Sequence, residues 1–188
     1  MKNLLIAAKH LNSIFDSDAF FNQSIVLMLG ETTGLILNIK ESPYLTDAMP
    51  SIIESFQSMH IPNIESILPN IRLGGPTSGP VICLHKIPDL GKEVLPGVYW
   101  TYKIEHIRQI LVLPNNEYRL YVGSTTWENE DQLKKELYLG AWQQCECVEP
   151  LLFESSDKEK VWEKAKKEHD FQFWKKIGIK KPQNYKFN

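Results

Sequence analysis

The sequence predicts a single α/β (α+β) domain, and three observations carry that prediction. The chain has 188 residues, which is within reach of one domain. Hydrophobic residues make up 43% and charged residues 23%, a globular composition rather than a disordered one. Short β-branched runs alternate with stretches of helical periodicity, with no internal repeat and no low-complexity segment. A chain of this length buries roughly 70% of its unfolded surface, so folding needs neither disulfide nor metal.

The elements follow in chain order. Residues 4–8 read as a first strand. Residues 24–29 (SIVLML) and 34–38 (GLILN) are apolar and β-branched, and Gly30 to Thr33 between them make a hairpin loop. Residues 51–59 place Ile52, Ile53, Phe56 and Met59 on one helical face, with Pro62 as the stop. Residues 71–80 (IRLGGPTSGP) are rich in Gly and Pro and read as a loop, followed by a strand over 81–85. Residues 86–97 hold Pro88, Gly91, Pro96 and Gly97 and read as irregular, before a short strand at 98–100.

Thr101 is placed to cap a helix that turns Ile104, Ile107, Ile110 and Leu111 inward. Residues 118–123 (YRLYVG) alternate as a strand does. Thr125 with Glu128 fits a capping box, and Glu130 and Asp131 favour the positive end of the helix that follows. Gly140 is its stop, and residues 142–148 alternate as a last strand. Ser156 with Glu159 opens a final helix carrying Val161, Trp162 and Ala165 on one side. From about Gly178 the tail reads as extended or mobile.

Charge and cysteine content narrow the function classes. The net charge is -2, but residues 158–188 carry a balance of +6 and the rest a balance of -8. A basic tail can bind nucleic acid or an acidic partner, although a solvated helix face is the plainer reading. The apolar stretch of residues 4–8 is too short for a signal-peptide core or a membrane span. Cys83, Cys145 and Cys147 are odd in number and fit free thiols in a reducing compartment, so the expectation is a cytoplasmic protein.

The candidate sites fail their chemical tests. The loop Gly74-Gly75-Pro76-Thr77-Ser78-Gly79 suggests a phosphate cradle, but Pro76 and Pro80 remove two backbone donors and no lysine appears before Lys86. The five histidines, His10, His60, His85, His106 and His169, show no zinc-binding spacing. Cys145 and Cys147 would share a strand face, yet a second ligand pair is missing. Cys83 and His85 would also share a face, where packing is the commoner meaning than a nucleophilic dyad. No cofactor or metal is expected. Of the five tryptophans, Trp127 stands out because it sits where a strand turns into a helix.

Taken together, these residues resemble the YqgE/AlgH family of bacterial proteins across residues 3–168. The matching pieces are Leu5-Ile6-Ala7-Ala8 through Phe20/Phe21 to Ser24-Ile25-Val26-Leu27, then Gly34 to Asn38. Leu73-Gly74-Gly75-Pro76, the strand ending Leu84-His85, and Pro96-Gly97-Val98-Tyr99 follow in order. Gly123, Trp127, Gln132-Leu133 and Glu136 lead to Gly140-Ala141-Trp142. The chain departs from the pattern at Gly30 to Thr33, at Asn38-Ile39-Lys40, and at Gly123-Ser124-Thr125-Thr126-Trp127, so it resembles a divergent member.

The resemblance implies a strongly bent, partly barrel-like mixed sheet flanked by helices, and a regulatory label without defined chemistry. The expected organisation is one domain over residues 1–170 and a basic tail over 171–188. The expected function is a non-enzymatic binding or regulatory domain with a protein or small-molecule partner, not a membrane. A nucleic-acid-associated regulator acting through the basic C-terminal segment, and an enzyme with an unrecognised site, are the alternatives. The expected binding surface is where Gly74, Gly75 and Pro76 meet Gly123 and Trp127.

Overall fold

Two five-stranded sheets form the framework of the computed structural model, which describes residues 4–7, 21–39, 43–58, 60–61, 63–114, 117–146, 149–153 and 158–176. The first sheet contains β1 (Leu4–Ala7), β2 (Ile25–Met28), β3 (Thr33–Ile36), β9 (Thr125–Thr126) and β10 (Trp142–Cys145). Its order is β10-β1-β2-β3-β9, antiparallel throughout. The second contains β4 (Ile71–Leu73), β5 (Ile82–His85), β6 (Lys92–Leu95), β7 (Val98–Thr101) and β8 (Tyr118–Val122). Its order is β4-β8-β5-β7-β6, and only the β4–β8 pair is parallel.

Around the sheets lie α1 (Pro43–Ser58), α2 (Ile64–Ile67), α3 (Ile104–Val112), α4 (Glu130–Tyr138), α5 (Glu149–Leu152) and α6 (Lys158–Lys176). The α+β class is as the sequence indicates. The bent sheet takes the form of two sheets without barrel closure among the described residues.

Strand alternation sends each sheet's side chains into two cores. Leu5, Val26 and Ile36 of the first sheet join Leu73, Cys83 and Leu120 of the second beneath α1, α3 and α4. Leu27 and Leu35 join Leu84 and Tyr121 on the opposite side, under Leu151, Trp162 and Ala165 of α5 and α6. The inner strands of both sheets are therefore covered on both faces, which explains strands such as β1 and β5 that are buried at every position.

Several local expectations need correction. Residues 71–73 are a strand rather than loop, because pairing with β8 over a long sequence distance decides their state. Residues 92–95, expected to be irregular, form edge strand β6. Pro96 and Gly97 make the two-residue turn back into β7, with Gly97 at φ 75° as a Pro-Gly turn requires. Helix α1 begins at Pro43, and Pro50 lies inside it. An interior proline costs about 3 kcal/mol of helix stability. Burial of Leu45, Ile52 and Phe56 offsets that cost.

Caps are shifted as well. Lys103, not Thr101, is the first flanking residue of α3, while the Thr101 hydroxyl accepts from the Lys103 N–H at 3.2 Å. Thr125 is drawn into β9, so the α4 cap moves to Asn129, whose side chain accepts from the Gln132 N–H at 2.9 Å. At the far end Gly140 (φ 75°) closes α4 in a Schellman arrangement. Its N–H donates to Leu137 O, and the Ala141 N–H donates to Glu136 O. Ala8, Met59, Pro62, Cys147, Val148, Ser156 and the tail from Gly178 lie outside the described residues. Helix α6 runs across residue 170 to Lys176.

Candidate functional site

The glycine loop after β4 is where the two sheets meet. Gly74 donates its N–H to Val122 O (2.8 Å) in the second sheet, and its carbonyl accepts from the Ile36 N–H (2.7 Å) in the first. Thr77 and Ser124 then exchange two backbone hydrogen bonds of 2.9 Å, and the Thr77 and Thr126 hydroxyls lie 3.0 Å apart. The N–H groups of Gly74 and Thr77 are consumed by this stitching, and Pro76 and Pro80 have none, so the loop lacks the donor row of a phosphate cradle.

The glycines are required by contact. A Cβ on Gly74 would come within 2.4 Å of Gly123 O, and one on Gly75 within 2.2 Å of the Ser124 backbone. A Cβ on Gly123, which sits at φ 72°, would come within 2.5 Å of Gly75 O.

Beside this junction lies a groove of about 550 Å³. One wall is α1, through Ala48, Ser51, Ile52, Ser55 and Phe56. The other is the loop of residues 75–81, and Tyr102, Ile104 and Ile107 close the end at α3. Leu73, Val122 and Gly123 line it between these walls. None of the described lining residues carries a charge. Tyr102 stands at the rim and is 56% exposed.

Of the residues expected at a binding surface, Gly75, Pro76 and Gly123 line this groove, while Gly74 and Trp127 do not. Trp127 is buried. Its indole N–H and that of Trp142 each donate to Glu136 Oε2 at 2.8 Å, and the two rings meet edge to face at 5.9 Å. Gln132 donates to the other carboxylate oxygen at 3.0 Å. Trp127, Glu136 and Trp142 thus form a buried polar node, with the exposed Gln132 completing it from the surface, and the node pins α4 against the first sheet. The α1 wall is a part of the groove that sequence reasoning misses. Ile52 and Phe56 read as core residues, and the available signal is the small polar pair Ser51 and Ser55, one turn apart.

The nucleophile and metal candidates occupy interior positions. Cys83 is fully buried, its Sγ faces Leu84 O at 3.9 Å, and burial pushes the thiol well above its ordinary range. His85 does not bond to it. The His85 Nδ1 instead accepts from the Ile87 N–H at 3.2 Å, and burial together with the neighbouring His106 lowers the ring's pKa to about 4. Cys145 is buried, and no group of three or more His, Cys, Asp and Glu residues able to hold a metal occurs among the described residues. No described helix is long and apolar enough to cross a membrane.

No curated protein matches the chain by sequence. The solution structure of the AlgH protein from Pseudomonas aeruginosa superposes with a TM-score of 0.61 at 18% identity, covering 95% of this chain and 93% of that one. At that identity the likeness is one of fold. The sequence profile of the AlgH-like family matches residues 4–174, nearly the whole of the described chain, and on that match the chain belongs to the AlgH-like family.

Proposed function

We propose that the chain is a non-enzymatic binding or regulatory domain whose ligand is an uncharged, largely apolar small molecule seated in the groove between α1 and the 75–81 loop. The observation that carries this reading is the groove itself. Its volume of about 550 Å³ falls in the range of small-molecule sites. Apolar side chains dominate its walls, Ser51, Ser55, Thr77 and Ser78 supply a few hydroxyls, and among the described residues no carboxylate, histidine, lysine or arginine lines it. Burial of an apolar ligand there is favourable, whereas a charged ligand would lose hydration with no partner. Its floor belongs to the sheet junction, so occupancy bears directly on how the two sheets meet.

The test is ligand-observed NMR and thermal shift with a library of neutral fragments. Binders are expected to perturb amide signals of residues 48–56, 75–81 and 102–107. Ser55→Trp, at an exposed α1 position, should fill the groove and abolish binding with the melting temperature little changed. Fragments that bind the Ser55→Trp variant as well as the native chain would refute the reading.

A further inference from the structure

The opposite face of β4 and β8 holds an arrangement that the groove does not use. These strands run parallel with Arg72 opposite Tyr121, which puts Arg119, two residues earlier, on the same face as Arg72. Arg72 is only 7% exposed. Its Nη1 donates to Pro69 O at 2.7 Å and to Ile71 O at 3.0 Å. Arg119 is half-buried; its Nη1 donates to Asn70 Oδ1 (3.1 Å) and Tyr118 O (3.0 Å), and its Nη2 to Phe153 O (2.9 Å). Lys86 brings a third positive charge close by, with Nζ 5.3 Å from the centroid of the Phe153 ring.

Every acceptor that meets the two guanidiniums among the described residues is neutral. Among the described residues no carboxylate lies within ion-pair distance of either one, and the carboxylate nearby, Glu117, is 2.6 Å from Lys86. Buried charges are ordinarily paired, because taking an ion out of water is expensive. An arginine cannot escape by losing its proton as a buried lysine can. Burial and then the charge of Arg119 both act against the Arg72 cation.

The carbonyls fix the plane of the Arg72 guanidinium through Nη1 alone. Nε and Nη2 meet no acceptor among the described residues, and these two atoms form the edge that grips an oxyanion with two parallel hydrogen bonds.

We propose that Arg72 and Arg119 form an oxyanion site that takes a phosphate group from solution, as the free ion or as a phosphate monoester. Two guanidiniums match a dianion better than the single charge of a carboxylate, the Lys86 charge being met by Glu117. The site faces away from the groove: Leu73 and Val122 line the groove, while Arg72 and Tyr121 alternate to the other side of the same strands. Success or failure of either proposal therefore leaves the other standing.

The experiment is calorimetric titration and thermal unfolding of the full chain at neutral pH, with inorganic phosphate, a simple phosphate monoester, acetate and chloride compared at equal ionic strength. Phosphate is expected to bind and to raise the melting temperature above that in chloride or acetate. Arg119→Lys, which keeps the charge but loses the planar fork, should weaken binding by roughly ten-fold or more. Arg72→Met should remove it. A monoester that binds more tightly than the free ion would identify an esterified phosphate as the ligand, and the reverse order would identify the ion itself. Equal effects of phosphate, acetate and chloride, or phosphate affinity unchanged in Arg119→Lys, would overturn the proposal even if Arg72→Met failed to fold.

Discussion

At the scale of single residues, His85 couples the fold to pH. The ring is fully buried and stacks on Tyr99, with centroids 6.1 Å apart. Because Nδ1 accepts from the Ile87 N–H, the proton of the neutral ring sits on Nε2, which has no hydrogen-bond partner among the described residues. Burial, and then His106, lowers the folded-state pKa from 6.5 to about 4. In the unfolded chain the ring protonates near 6.5, so between that pH and about 4 the unfolded state binds more protons. Stability contributed by the neutral ring is complete above pH 6.5 and is lost as pH falls towards 4, by on the order of 3 kcal/mol in all. Urea unfolding across that window should show the native chain losing more stability than His85→Gln, which keeps a hydrogen-bonding side chain but cannot titrate. Parallel curves for the two proteins would show that His85 is not the coupled group.

At the scale of elements, what can be read from the sequence follows the range of the forces that decide it. The β2–β3 hairpin, the Gly140 stop and the acidic first turn of α4 rest on local chemistry, and each stands where the pattern puts it. β4 is hidden in the sequence because its partner β8 is remote along the chain, and because Arg72 breaks the apolar run. Thr125 has the chemistry of a cap, but pairing with Gly34 in β3 claims it. The binding surface is half legible for the same reason: the loop announces itself through glycine and proline, but the α1 wall is set by tertiary packing. The loop also allows the glycines to be told apart. Gly123→Ala meets Gly75 O at 2.5 Å and Thr77 O at 2.9 Å from a left-handed backbone, whereas Gly79→Ala meets nothing within 4 Å. Chemical denaturation should show Gly123→Ala destabilised by at least about 2 kcal/mol, while Gly79→Ala stays within about 0.5 kcal/mol of the native chain. Comparable losses would mean that the junction tolerates rearrangement and the close approach is not required.

At the scale of the whole molecule, neither sheet can come apart alone. The two faces of β2 are enough to see this, since Val26 enters one core and Leu27 the other, and β5 does the same with Cys83 and Leu84. Removing either sheet would expose both cores. The sheets are further tied at Gly74, and Trp162 of α6 donates its indole N–H to Ala7 O at 2.9 Å, fastening the second core's cover to β1. Opening one sheet therefore costs close to the full free energy of unfolding, which is the condition for a single cooperative transition. Native-state hydrogen exchange in increasing urea should give the amides of β2 and β5 the same opening free energy and the same denaturant dependence. A lower value for one strand would split the fold into two units and would place the hinge at the Gly74 junction, beside the groove.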